Sequence, residues 1–429
     1  MKILFISQSP INGSVSIGNT FLNIFEDIEN IEFASIYTKK GFPDKRISSA
    51  FRVNEKMIIK GLALKPVGQM VEKRYEGEKA IDTKTVIFAK RKRWTLFFWL
   101  QSLIWCLPFW KSKILKKFIN DYNPDIIFTV LSDSIPLNRI IRFVQKYTKK
   151  PLLLYAWDDN YSMKTCGKSP FKKLNRLFSR ASMRKTVKKA SEFYVISNIQ
   201  KTEYETCFKR NCKILTKSKD FSQPAIVKEV FHKPLQLVYA GNIGMNRWRS
   251  LGLVASVLQK FNKDDVKAQL FIYSGNDITQ EMRDTLEIKE CSFLMGSVSA
   301  DKIQELQLSA DMLVHVEGLD KKSQLEVHQS FSTKLVDYFK SAKPILAVGP
   351  RDVASISHLI ENECAIVASS EQELYKKLSE IIDDSKKLTA LSVSAYECGR
   401  KHHNKADMKK LLEEDLLKLC GERDENITN

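Results

Sequence analysis

Short apolar runs, each about as long as one buried strand, recur along this 429-residue chain with segments of helical composition between them, and the pattern is laid down twice. In the first half the runs fall at 2–6, 31–37, 125–130, 152–156 and 193–196. A stretch with two prolines and little periodicity, 217–234, interrupts them, and they resume at 235–240, 269–274, 292–295, 312–316, 344–348 and 365–367. Strands that alternate with helices form mostly parallel, doubly wound sheets, because a parallel neighbour needs a crossover that a helix supplies. The expected fold class is therefore α/β with two doubly wound domains, at 1–217 and 234–400. A terminal helix and tail occupy 401–429, and the helix, with no strand after it, is expected to cross back to the first domain. The length agrees, since one hydrophobic core seldom grows past about 250–300 residues.

Charge divides the halves more sharply than length does. The formal net charge is +19, yet residues 1–217 hold 41 Lys and Arg against 18 Asp and Glu (+23), and the rest hold 28 against 32 (−4). A basic half beside a near-neutral one points to a polyanionic partner for the first domain only, either nucleic acid or an anionic membrane surface. Eight cysteines occur without a Cys-x-x-Cys pair, and none of the six histidines has zinc-ligand spacing, so no metal is expected. The opening apolar run of about four residues is short for a secretory signal, which leads to an expectation of reduced thiols and a cytoplasmic location.

The segment from Lys90 to Lys117 carries eight basic residues, no acidic ones and four tryptophans. Its apolar part, Trp94 to Trp110, includes Gln101, Ser102 and Pro108 and sits at the lower limit for a bilayer crossing. It reads as an interfacial element, with Lys90, Arg91, Lys92, Arg93, Trp94 and Trp99 facing an anionic membrane; a buried helix with solvated basic flanks is the competing reading. A second run, Ser162 to Ala190, holds ten Lys and Arg and no acid.

Two motifs in the second half carry anion-binding chemistry. Val238-Tyr-Ala-Gly-Asn-Ile-Gly-Met-Asn-Arg-Trp-Arg runs a strand into a glycine-bearing loop that opens a helix, where backbone N–H groups and Arg247 or Arg249 suit phosphate. Ser330-Phe-Ser-Thr-Lys-Leu-Val-Asp follows, with Ser332 and Thr333 as candidate caps and Lys334 in a helical first turn. The helix dipole disfavours a cation there, and a bound anion would account for it. Asp337, one turn on, is placed to accept hydrogen bonds from ribose hydroxyls.

Together the Tyr-Ala-Gly-Asn-Ile-Gly and Phe-Ser-Thr-Lys-Leu-Val-Asp-Tyr-Phe-Lys-Ser-Ala-Lys-Pro-Ile-Leu-Ala-Val motifs resemble the donor domain of family 4 glycosyltransferases of the bacterial surface-polysaccharide kind. The resemblance implies a GT-B fold, two Rossmann-like domains with a nucleotide-sugar in an interdomain cleft, and transfer to a saccharide or lipid-linked acceptor with retention of configuration. It implies diphosphate contacts at Arg247, Lys334 and the Ser332–Thr333 helix start, ribose at Asp337, and Gly241 and Gly13 close to the phosphates. Two positions depart from the family pattern: Gln329 stands where many members have a first Glu, and Asn242 where they have an Arg. No cofactor beyond the donor substrate is implied.

In the first domain, Leu152-Leu-Leu-Tyr-Ala-Trp-Asp-Asp ends a strand on Asp158 and Asp159, at the end of the sheet where open α/β folds bind ligands. Either carboxylate is a candidate base for an acceptor hydroxyl, and each is equally suited to cap a turn. A nucleotide-sugar epimerase of the same fold and a basic nucleic-acid-binding protein remain as alternative functions, although the second leaves the phosphate motifs unexplained and nucleic acid is not the expected partner.

Overall fold

The computed structural model describes residues 1–13, 16–71, 101–167 and 169–421. The chain divides into two compact units. Unit 1 comprises Met1–Ile196, Lys201–Leu215 and the chain from Lys409 on; unit 2 comprises Ser197–Gln200 and Thr216–Met408.

Unit 1 is built on an eight-stranded sheet: β1 (Lys2–Ser7), β2 (Glu32–Tyr37), β3 (Ile47–Arg52), β4 (Gln69–Met70), β5 (Ile126–Val130), β6 (Leu152–Ala156), β7 (Glu192–Val195) and β8 (Lys213–Ile214). Its order is β4-β3-β2-β1-β5-β6-β7-β8, and every pairing is parallel except β3 with β4. β5 and β6 are buried along their whole length, which is why they read as unbroken apolar runs rather than as alternating ones. The helices are α1 (Ser16–Ile24), α2 (Glu55–Gly61), α3 (Lys113–Tyr122), α4 (Ile135–Thr148), α5 (Pro170–Val187) and α6 (Asn198–Phe208). Local sequence sets their ends: Ser112, Ser134 and Ser169 cap α3, α4 and α5 through their hydroxyls, and Asn123 turns left-handed to stop α3.

Unit 2 has a six-stranded, wholly parallel sheet in the order β11-β10-β9-β12-β13-β14. The strands are β9 (Leu235–Ala240), β10 (Ala268–Tyr273), β11 (Ser292–Gly296), β12 (Met312–Val316), β13 (Ile345–Val348) and β14 (Ile366–Ala368). Around them lie α7 (Arg247–Phe261), α8 (Gln280–Leu286), α9 (Ala300–Ser309), α10 (Lys321–Val327), α11 (Lys334–Ser341), α12 (Ala354–Glu361), α13 (Glu371–Ser379) and α14 (Ser385–His402). The last helix, α15 (Lys405–Gly421), starts in unit 2 and ends in unit 1. There the buried Asp415 accepts a hydrogen bond from Tyr194 at 2.7 Å and pairs with Lys213.

Eleven of these strands coincide with the apolar runs within a residue or two. β3, β4 and β8 do not, because β3 alternates with polar Ser48 and Ser49 and the other two are only two residues long. The basic, tryptophan-rich segment divides. Lys90, Arg91, Lys92, Arg93, Trp94 and Trp99 lie outside the described residues. Its continuation is core: Trp105 and Trp110 are buried among Val53, Phe118 and Ile140, and the Trp105 indole donates to Glu55 Oε1 at 2.8 Å. For these two tryptophans the buried reading holds and the interfacial one is corrected, because the core takes both rings and each indole N–H has an acceptor, Glu55 of α2 for Trp105 and the Trp105 carbonyl, at 3.3 Å, for Trp110. Among the described residues no helix is long and apolar enough to cross a membrane.

Candidate functional site

A cluster of charged side chains in unit 2 lies where β9 and β12 end. β9 runs out into Gly241, which has a φ of +154°, and the chain then passes through Met245 and Asn246, both left-handed, before α7 begins at Arg247. Two consecutive non-glycine residues with positive φ are uncommon, and such backbone tends to be kept where a loop has work to do. The loop is held by its own polar groups. The Asn242 side chain accepts from the Gly244 N–H at 2.6 Å, its carbonyl accepts from the Tyr239 hydroxyl at 2.6 Å, and Asn246 donates to Asp320 at 2.7 Å.

Into this loop reaches Lys334, the first residue of α11. Its Nζ donates to the Ala240 carbonyl at 3.3 Å and stands 4.6 Å from the centre of the Tyr239 ring. Gly241 makes room for it, since a Cβ on that residue would come within 2.3 Å of Nζ. Burial, and after it the Arg247 guanidinium, pull the Lys334 ammonium down to about 8, with Glu317 opposing. Arg247 is locked onto Glu317, Nη2 and Nε meeting the same carboxylate oxygen at 2.8 and 2.9 Å. Glu317 is 3 % exposed, so burial raises its pKa even with Arg247 and Lys334 beside it. Next to it His315 is 1 % exposed, has no hydrogen-bond partner on either ring nitrogen among the described residues, and lies 3.7 Å from Glu317 Oε1. Burial, Lys334 and Arg247 hold that imidazole neutral, well below its usual range. The cluster thus presents two cations over one buried carboxylate at a strand end and a helix start, an arrangement suited to a ligand with more than one negative charge.

The remaining sequence candidates in unit 2 separate into those at this cluster and those tied elsewhere. Ser332 and Thr333 lead into α11, but neither hydroxyl caps it: Thr333 occupies the cap position without a side-chain hydrogen bond, and the Ser332 N–H donates to Ser355 Oγ at 2.8 Å. The expected capping is corrected on this point, because Thr333 is already helical in φ and ψ and its hydroxyl does not turn back onto the first-turn N–H groups. Asp337 is bound by Lys217 at 2.8 and 3.0 Å and by Lys219 at 3.4 Å. Gln329 is buried; its carbonyl accepts from Ser197 at 2.7 Å and its side chain meets Gln200 at 3.4 Å.

In unit 1 the two carboxylates after β6 behave differently. Asp159 is spent on its own turn, accepting from the Tyr161 and Ser162 N–H groups at 3.2 and 2.8 Å and from the Ser162 hydroxyl. Asp158 is exposed, and its charge adds to burial in raising the pKa of Tyr155, whose buried hydroxyl has no partner among the described residues. Gly13 is exposed, and a Cβ there would meet only ordinary contacts, 3.5 Å from Leu22 and 3.8 Å from Asp44, so crowding does not require a glycine. Among the described residues no group of three or more His, Cys, Asp or Glu is arranged to hold a metal ion.

Glu317 and His315 were missed in the sequence. The available signal was position: Val-His-Val-Glu closes a strand of a parallel sheet, where polar side chains face the ligand end. The pairing with Arg247 spans 70 positions and has no local signature.

No family model and no curated protein matches the sequence. Solved structures do match: the fold is GT-B, two Rossmann-like α/β units, as in the glycosyltransferases it resembles. Anabaena HepE in complex with UDP is similar with a TM-score of 0.62 at 12% identity, covering 97% of this chain and 100% of that one. A sucrose-phosphate synthase from Thermosynechococcus elongatus matches with a TM-score of 0.60 at 10% identity over 97% and 98%, and a Rickettsia africae glycosyltransferase with 0.57 at 13% over 97% and 98%.

Proposed function

We propose that this chain is a glycosyltransferase that takes a sugar from a nucleotide-sugar and transfers it to a saccharide acceptor carried on a lipid, in the synthesis of a cell-surface polysaccharide at the cytoplasmic face of the membrane. The observation that carries this reading is Lys334: an ammonium placed at the start of a helix, against the dipole, densely surrounded and brought down to about 8. In the unliganded protein the Ala240 carbonyl, the Tyr239 ring and Glu317 offset only part of the lost solvation, whereas a diphosphate would recover the rest and restore the full charge. Similar structures were solved with UDP and with UDP-glucose, which favours a uridine diphosphate sugar as the first donor to test.

In this reading Lys334 and Arg247 neutralise the diphosphate, and Arg247 exchanges part of its contact with Glu317 for a phosphate oxygen. Gly241, Asn242 and the Ser332–Thr333 turn form the backbone wall, without a metal ion. Asp337 serves the ribose only as far as Lys217 and Lys219 release it, and Gln329 acts through the packing of its neighbours. Asp158, an exposed residue just past the ligand-facing end of β6, is the group we assign to the acceptor hydroxyl. Retention of configuration is the outcome proposed from the family resemblance. The test is turnover of radiolabelled nucleotide-sugars with membrane extract. Transfer to a lipid-extractable product, abolished in Lys334→Ala, supports the reading, and conversion of the free nucleotide-sugar without acceptor overturns it in favour of an epimerase.

A further inference from the structure

Two grooves in unit 1 share a wall, and their chemistries are opposite. One, of about 530 Å³, lies at the ligand-facing ends of the strands, with Gln8 after β1, Thr38 and Lys39 after β2, and Asp133 and Ser134 after β5. The other, of about 510 Å³, lies between α4 and α5 and is mostly apolar, lined by Leu103, Cys106, Ile135, Phe178 and Ala181. Ser102, Ile135 and Asn175 line both, so one groove continues into the other. Each volume falls within the roughly 300–1,000 Å³ of small-molecule sites.

Three cations edge the apolar groove: Arg139, Arg142 and Lys185. The two guanidiniums touch only neutral acceptors. Arg142 donates to the Ser182 carbonyl and the Thr186 hydroxyl, both at 2.8 Å, and Arg139 to the Trp105 carbonyl at 2.9 Å. Among the described residues neither forms an ion pair with a carboxylate, and burial, followed by the nearby Arg139, lowers the pKa of Arg142. Two neighbouring cations with no counter-charge among the described residues, at the edge of an apolar groove, attract an anion that carries hydrocarbon. Around the groove, apolar side chains stand in water: Leu103 is 67% exposed, and in the first two turns of α5 Phe171, Leu174 and Leu177 are 68%, 42% and 52% exposed. The α5 segment has no acidic residue to repel a phosphate.

We propose that the paired grooves bind one amphiphilic molecule, a phosphate ester of a long hydrocarbon chain, as the acceptor. The tail lies along Leu103, Ile135 and Phe178, the phosphate sits against Arg139, Arg142 and Lys185, and the polar groove at the strand ends receives the saccharide. Its role as acceptor rests on the glycosyl-transfer reading; its binding does not.

The experiment measures binding of dodecyl phosphate, kept below its micelle concentration, to the full chain by calorimetry. Inorganic phosphate and dodecyl maltoside serve as the probes lacking tail and phosphate. Saturable binding at least about tenfold tighter than either control is expected, weakened at least about tenfold by Leu103→Asp and by Arg139→Gln, each with an unchanged melting temperature. Lys334→Ala should leave it intact while weakening UDP binding by about 10- to 100-fold. Equal affinity for dodecyl maltoside, or full affinity in both groove variants, overturns the inference. So does binding confined to phosphatidylglycerol vesicles and lost in Phe171→Ser, which would make α5 a membrane contact and the groove irrelevant. UDP-sugar turnover without dodecyl phosphate binding sinks this inference alone, and dodecyl phosphate binding without any nucleotide-sugar affinity sinks the proposed function alone.

Discussion

The two units handle charge in opposite ways. Unit 2 belongs to the near-neutral half of the sequence, yet it gathers Lys334, Arg247, Glu317 and His315 into one cluster in which burial, and after it the neighbouring charges, shift the protonation of Lys334, Glu317 and His315. Unit 1 contains most of the basic half, and its cations are spread out: Arg139 and Arg142 at a groove edge donate to neutral acceptors, while Arg176 on α5 pairs with the half-exposed Asp133 at 3.6 Å. Net charge therefore does not locate a tight anion site. A surface cation is worth little because water already solvates it, whereas a half-buried ammonium at a helix start has given up that solvation and regains it only from a ligand. The same contrast separates the carboxylates: Glu317 is held in the cluster, while Asp159 is tied into a turn.

The contrast can be broken most directly at Lys334. Lys334→Ala should weaken UDP binding by about 10- to 100-fold, the worth of one charge-assisted contact, with little loss of melting temperature. A matching loss from Lys172→Ala in unit 1, measured by the same calorimetry, would erase the distinction between the units.

Acidity sharpens it next. In the unliganded fold the charged form of Lys334 is disfavoured, so below about pH 8 the ammonium is present and above it each bound diphosphate must recruit a proton. UDP affinity should hold from pH 6.5 to about 8 and then fall by up to about tenfold per pH unit. In Lys334→Arg, followed by the same titration, the fall should disappear.

Glu317→Gln removes the competing anion. UDP affinity should rise severalfold while thermal stability drops by about 2 kcal/mol, because Arg247 loses its partner and the buried amide cannot satisfy it equally. A scan by differential calorimetry with and without UDP reads both effects. The smallest change is expected at the β6 carboxylates: Asp159→Ala should cost about 1 kcal/mol of stability, like the loss of a helix cap, and Asp158→Asn almost none. Turnover should respond in the reverse order, and if Asp159→Asn alone removes activity at unchanged stability the assignment of the acceptor base moves to Asp159.

Much of the fold was legible because each buried parallel strand needs a continuous apolar run, and β6, β9 and β12 were bounded to the residue by theirs. Strands that pair at an edge or alternate with serine carry no such mark, and β3, β4 and β8 went unread. At the site, Lys334, Arg247 and Gly241 were legible from a strand-to-helix loop and from a cation set against a dipole. Glu317 and His315 were not, since a carboxylate or imidazole in sequence does not announce the neighbour that a sheet brings to it.

The sequence by itself determined two doubly wound α/β halves, an uneven charge, and a lysine where a helix begins, because backbone propensity and apolar periodicity act over a few residues. Only the tertiary structure decided which charges meet. It placed Glu317 under Arg247 across 70 positions, bound Asp337 to Lys217, buried Trp105 and Trp110 in the core, and tied Asp159 into its turn. Burial and Coulomb interactions depend on distance in space, and space between these residues is set by how the strands pair.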